Sequence, residues 1–243
     1  MKPIIDLHTH TISSGHAYST LQENVAEAKI AGLKYLGISD HGPMMPGGAH
    51  NFHFDNLPAI PTIVNGIRVF RGCEINIMDE NGTLDLPEKT ILKLDYLIAS
   101  IHGPCYSVEH TLEQNMNAYQ AVCNNPYVSI IGHPDDGRFP VDYDKLAKMA
   151  KDTDTIIEIN CASLKPTSFR LNGLENITKL IESCKKQGTM VVVNSDAHFS
   201  SAVGRLENGL SLLEEYKFPK ELILNYNEEL ILKNFDKHSN IEM

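Results

Sequence analysis

Tryptophan is absent from the chain, and its cysteines, five among 243 residues, fall in no paired C-x-x-C spacing. Odd in number and scattered, Cys73, Cys105, Cys123, Cys161 and Cys184 form neither a disulfide framework nor a thiolate zinc site, and they fit a reducing compartment. No apolar run approaches the roughly 20 residues needed to cross a bilayer. Met1-Lys2-Pro3-Ile4 leads straight into an apolar segment without the hydrophobic stretch of a signal peptide. A cytoplasmic protein without a membrane partner is expected. Positive charge is scarce too: 21 Lys and Arg against 31 Asp and Glu leave a net charge of -10. That balance argues against nucleic acid, whose backbone needs clustered cations. Bound divalent ions would add about +2 each, so a small phosphorylated substrate stays within reach. Repeats and low-complexity stretches are lacking. With 42% hydrophobic residues the chain can bury a sizeable core, and one barrel-sized domain over residues 1–243 is expected.

What the chain has is a recurring event: an apolar, strand-like run that ends in His, Asp or Glu. Ile4-Ile5 runs into Asp6-Leu7-His8-Thr9-His10, Leu36–Ile38 into Ser39-Asp40-His41-Gly42, and Ile67–Ile77 contains Glu74. Tyr96–Ser100 leads to His102, Val128–Ile131 to His133, Ile156–Ile159 to Asn160, and Met190–Val193 to Asn194-Ser195-Asp196-Ala197-His198. Between these runs lie helical patterns over Thr20–Ala31, Pro87–Leu92, Thr111–Cys123, Tyr143–Lys151 and Leu174–Gln187, with another over Glu228–Phe235. Thr20 and Glu23 are spaced as a capping box, and Gly32 and Gly188 are natural stops. Pro43–Pro61, rich in Gly and Pro, is expected as a loop over the site, with His50 and His53 exposed to solvent.

Seven apolar strands alternating with amphipathic helices predict an α/β fold with a parallel sheet covered by helices. An open doubly wound sheet would gather polar residues at one switch point. Here nearly every strand delivers one, and closure brings all those ends to a common mouth. A distorted, TIM-like (β/α)7 barrel is the expected architecture.

The candidates are His8, His10, His16, His41, Glu74, His102, His133, Asp196 and His198. A lone histidine is more often a hydrogen-bonded core or surface residue than a ligand, but so many imidazoles and two carboxylates at one mouth need cations to offset their burial. Imidazole and carboxylate without thiolate suit Zn, Mn or Fe, and nine donors exceed the needs of one ion, so two or three are implied. Glu74, with two oxygens, is the natural bridge. Side-chain alternation predicts that Asp6, His8 and His10 project together, and Asp6 or Asp40 could steady a ligand histidine. Cys73 should face the helices, and no role is expected for the other cysteines, for His110 or for His238.

These motifs, in this order over most of the chain, resemble the polymerase and histidinol phosphatase (PHP) superfamily, in particular small stand-alone bacterial phosphatases of the YcdX type. The resemblance implies a PHP fold with a trinuclear site, three divalent ions per chain. His8, His10, Glu74 and Asp196 would hold the first, His16, His41 and His198 the second, and Glu74, His102 and His133 the third. Asp135-Asp136 departs from the small residues of such members and puts extra acid after His133-Pro134.

The expected activity is hydrolysis of small phosphomonoesters by a metal-activated water held through Glu74, Asp196 and His198. Arg205, shortly after His198, is the first choice for a phosphate-binding cation, with Lys165 and Arg170 behind it, and Asn160 is expected to orient water or substrate. Histidinol phosphate phosphatase is the alternative. An exonuclease or phosphodiesterase is disfavoured by the acidic balance, and a non-catalytic scaffold by the completeness of the ligand set. The reading leaves homo-oligomerisation open.

Overall fold

A computed structural model describes residues 2–236; His238 lies outside them. Seven strands run in parallel in the spatial order β1 (Ile5–Asp6), β2 (Tyr35–Ile38), β4 (Ile67–Ile77), β5 (Tyr96–Ile101), β6 (Ile130–Ile131), β7 (Ile156–Asn160) and β8 (Val191–Asn194). The short β3 (Ile63–Val64) pairs antiparallel with β4. The 11-residue β4 is the hinge of the sheet, since Arg68–Arg71 pair with β2 and Gly72–Ile77 with β5. The helices α1 (Leu21–Ala31), α4 (Leu112–Cys123), α5 (Tyr143–Asp152) and α6 (Gly173–Gln187) follow their strands as the sequence pattern predicts, and α7 (Glu207–Glu215) follows β8. Thr20 and Thr111 each close a reciprocal capping box, with Glu23 and Gln114. Gly32 and Gly188 end α1 and α6 in the left-handed conformation, at φ 81° and 70°.

Two apolar clusters divide the core. The larger lies between sheet and helices and takes in Cys73, so this thiol faces the helices as expected. The smaller fills the barrel at the strands' N-terminal end with Ile5, Leu7, Phe70, Tyr96, Ile98, Ile130, Ile156 and Val192, plugged from below by Leu224 and by Ile231 and Phe235 of α8 (Glu228–Phe235). Gly37 and Gly72 leave the space that the Tyr96 ring occupies, since a Cβ at either would lie 2.2–2.4 Å from that side chain. The Tyr96 hydroxyl donates to the carbonyls of Leu7 and Ile38, at 2.5 and 3.2 Å.

Among the described residues the seam between β8 and β1 has no strand ladder and is closed by a single bridge, Thr9 with Ala197, and by side-chain lacing. At its upper end Ala197 N–H donates to the His8 carbonyl and His10 N–H to the Ala197 carbonyl. Lower down the Asn225 amide donates to the carbonyls of Ile5 (3.0 Å) and Val193 (2.8 Å), while its oxygen accepts the Val193 N–H. The sheet is thus a nearly closed, distorted barrel.

The segment expected as a plain loop, Pro43–Pro61, holds α2 (Asn51–Asp55) and a 3-10 turn over Leu57–Ala59, and β3 follows it. His50 caps α2, its Nδ1 accepting the Phe52 N–H. The remaining short helix is α3 (Glu88–Ile91). No described helix is long and apolar enough to cross a membrane.

Candidate active site

The strands' C-terminal ends open into one mouth, and seven histidines gather there because each follows or ends a strand packed beside its neighbour. Glu74 is fully buried in β4 and lies at their centre. Its Oε1 is 2.8 Å from His133 Nε2 and 3.2 Å from His102 Nε2. Its Oε2 is 2.6 Å from His41 Nδ1, 3.3 Å from His8 Nε2 and 3.5 Å from His10 Nε2. Asp196 Oδ1 approaches His10, His198 and His8 at 3.3–3.5 Å. His16 joins through His41, Nε2 to Nε2 at 3.1 Å. The structure therefore brings all nine candidates together, from fully buried His8 and His10 to His16 at the solvent edge.

The electrostatics are those of a site built around positive charge. Burial alone would raise the Glu74 carboxyl, but His8, His102 and His41 hold it well below its ordinary value. Asp196 is depressed in the same way by His8 and Arg170. Burial opposes charge on His8, yet Glu158, Glu74 and Asp196 pull it well above the usual imidazole range. His10 goes the other way, down to about 3, through burial and the neighbouring His41 and His198. The cation fit can be tested on the unpartnered groups: His8 Nε2, His10 Nε2, His41 Nδ1 and Glu74 Oε2 are buried, crowd one another and make no hydrogen bond. Orphaned polar atoms are costly in an interior, and donor atoms that converge without bonding are what a divalent ion satisfies. Three overlapping donor groups lie within 4.8 Å: His8, His10 and Glu74; His10, His41 and His198; and His41, Glu74 and His102. No cysteine joins such a group among the described residues.

A second ring of residues holds the first. Glu158 Oε1 meets His8 Nδ1 at 2.7 Å, and its Oε2 accepts from His133 N–H and Asn160. Ser14 lies 3.0 Å from His10 Nδ1 and donates to Asp40, so Asp40 acts one step removed from the rings. Burial raises Asp40, but His53 and Ser14 outweigh it and bring it to about 2. His102 Nδ1 meets Asn76, which Asp85 holds. Such partners fix ring orientation and tautomer. Glu158, Asn76 and Ser14 were not picked out from sequence; for Glu158 the signal was there, a lone acid in the run Ile156-Ile157-Glu158-Ile159.

Several expectations need correction. Asp6 does not project with His8 and His10: its carboxylate accepts the backbone N–H of Ser195 (3.1 Å) and Gly204 (2.9 Å), while Leu7 lies in the interior cluster, so alternation breaks between Leu7 and His8. His53 is not a free loop residue but lies 3.4 Å from Asp40. Arg205 is exposed, its Nε donating to the Ser201 carbonyl, and it does not line the cavity. The cation at the mouth is Arg170, whose side chain is only 7% exposed and donates to Asp196 at 2.8 Å. Asn160 is buried beneath it, its Nδ2 donating to Asp196 and Glu158 and its Oδ1 accepting from Arg170, which makes it a positioning group. Lys165 is exposed at the cavity's rim. The extra acids are absorbed: Asp136 takes the Arg138 guanidinium, and Asp135 is buried, its carboxyl raised by desolvation against the pull of Arg170.

With this geometry in hand, the comparison with known proteins is direct. The family model described as PHP domain matches residues 6–162. The chain belongs to the PHP family. A relative from Clostridium novyi, named a probable phosphatase, is 41% identical over 96% of this chain and 94% of its own. One of the same name from Caldanaerobacter subterraneus is 45% identical over 93% and 88%. Among solved structures, histidinol phosphate phosphatase from Lactococcus lactis, in complex with zinc, L-histidinol and phosphate, superposes with a TM-score of 0.61 at 16% identity, covering 90% of this chain and 95% of that one. At that identity it speaks for the shared PHP fold alone.

Proposed function

We propose that this PHP protein is a metal-dependent phosphatase that hydrolyses small phosphomonoesters. The observation that carries the reading is the Glu74 carboxylate set among five imidazoles with Asp196 beside it, all buried or half-buried at the base of an open cavity. His8, His10, Glu74 and Asp196 would hold one ion, His16, His41 and His198 a second, and Glu74, His102 and His133 a third. Zn, Mn and Fe all suit these donors. When bound, such ions supply Lewis acidity that activates water near neutral pH and offsets charge at phosphorus.

The chain's own groups do the rest. Glu158 and Asn76 keep the rings of His8 and His102 turned inward. Arg170 spends three donors on Asp196, Asn160 and Ser163. A guanidinium has five, so two stay free for a phosphate oxygen at a cavity it lines. Its anchoring means that little side-chain entropy is lost on binding. Relatives named probable phosphatases, matched along nearly their whole length, support the same reading.

The test is phosphate release from a panel of small esters by protein loaded with Mn, Zn or Fe, with elemental analysis of the loaded chain. Turnover together with about three ions per chain is expected. No release with any metal would remove the proposal, and one ion per chain would break the ligand assignment. Histidinol phosphate belongs in the panel, where a preference for it over generic esters would narrow the activity to that substrate.

A further inference from the structure

The cavity above the histidines has a volume of about 410 Å³, within the range of pockets that take a whole small organic molecule. Its base is polar, whereas its rim is largely aromatic. Tyr18, Phe169 and Phe199 line it and are 73%, 70% and 56% exposed. Single exposed apolar side chains are ordinary; three aromatic rings converging on one opening are not.

The Phe169 ring is also braced, and so is the backbone that carries the other two. Phe169 lies against two guanidiniums, with Arg138 Cζ 5.0 Å and Arg170 Cζ 5.5 Å from its centroid. Both guanidiniums are anchored in turn, by Asp136 and by Asp196. Tyr18 and Phe199 sit on two segments stitched together beside His16 and His198: Tyr18 N–H donates to the His198 carbonyl, and Ser200 N–H to Ser19 Oγ. A ring braced before binding, as Phe169 is, loses little freedom on contact, which favours a flat apolar partner. A polyol would meet few rim donors, chiefly Lys165, Thr167 and Ser168 on the Phe169 loop. These suffice for the polar edge of a ring.

We infer that the organic part of the ester is a planar aromatic group, gripped by Phe169, Phe199 and Tyr18 while the phosphate sits below it. This rests on the phosphatase reading. The ring could stand one bond from the phosphoester, as in an arylmethyl phosphate, or beyond a sugar, as in a nucleoside monophosphate.

Two pairs of esters with similar leaving alcohols separate these cases: benzyl against ethyl phosphate, and adenosine 5′-monophosphate against ribose 5-phosphate. With metal-loaded protein, kcat/KM should favour the ring-bearing member at least about tenfold in one pair, and that pair identifies the spacing. In the double variant Phe169→Ala/Phe199→Ala the ratio should fall to within about twofold of one, and Phe169→Tyr should retain it. Ratios near one in both pairs, or a ratio unchanged in the double variant, would overturn the inference. Calorimetry with benzylphosphonate and ethylphosphonate reads the ring site without turnover. If no ester is hydrolysed, the phosphatase reading falls, and the aromatic site then stands on tighter benzylphosphonate binding or falls on equal binding.

Discussion

The two ends of the barrel are made by the same strands and differ in nearly everything else. Along β4 the inward positions read Phe70, Gly72, Glu74 and Asn76; along β5 and beyond, Ile98, Ser100 and His102; along β7, Ile156, Glu158 and Asn160; along β8 and beyond, Val192, Asn194 and Asp196. One or two steps of two residues take each strand from packed hydrocarbon to the histidine and acid cluster. At the lower end buried apolar side chains pack on one another and α8 seals the plug. At the upper end His8 Nε2, His10 Nε2, His41 Nδ1 and Glu74 Oε2 are buried without a hydrogen bond. Stability is concentrated at one end and unsatisfied valence at the other. Function can be as demanding as it is because the floor beneath it is rigid.

This division can be broken from either side. Phe235→Ala empties the plug and should cost about 3–5 kcal/mol in urea unfolding, with ions per chain and kcat kept below the transition. A parallel loss of bound metal would show that the two ends are not separable. Glu74→Gln is the converse: phosphate release and bound metal should fall at least about a hundredfold, while the unfolding midpoint in chelator moves less than in Phe235→Ala. Glu158→Gln sharpens the border, because Glu158 sits where apolar interior meets cluster. Losing its charge behind His8 should weaken metal affinity about 10- to 100-fold in a chelator competition, with smaller consequences than Glu74→Gln.

Much of this was legible in the sequence, and the residues say why. Strands announce themselves by unbroken Ile and Val runs, and helices by caps such as Thr20 with Glu23. The convergence of His8 with Asp196 followed from closure alone. Directions of single side chains were not legible. Arg205 lies closer in sequence to His198 than Arg170 does, but the turn through Val203-Gly204, with Gly204 at φ 72° and its N–H on Asp6, carries it out to solvent. Arg170 comes from another loop, and only the fold brings it to Asp196. Asp6 misled for a similar reason, since strict alternation presumes an unbroken strand and β1 ends at Asp6. Glu158 passed as one polar letter in a strand, because a positioning carboxylate has no spacing rule of its own.

Asn225 imposes an order of events. Its amide clasps Ile5 and Val193 across the seam, yet it stands 220 positions after the first strand it touches. As the polypeptide leaves the ribosome, residues from His8 to Ala197 can be made and partly folded while the gap between the first and last strands still lacks its lower fastener. The centre that handles substrate is therefore among the last parts of the molecule to be completed, and a nascent chain released before residue 225 would carry the cluster's amino acids with the barrel still unlatched.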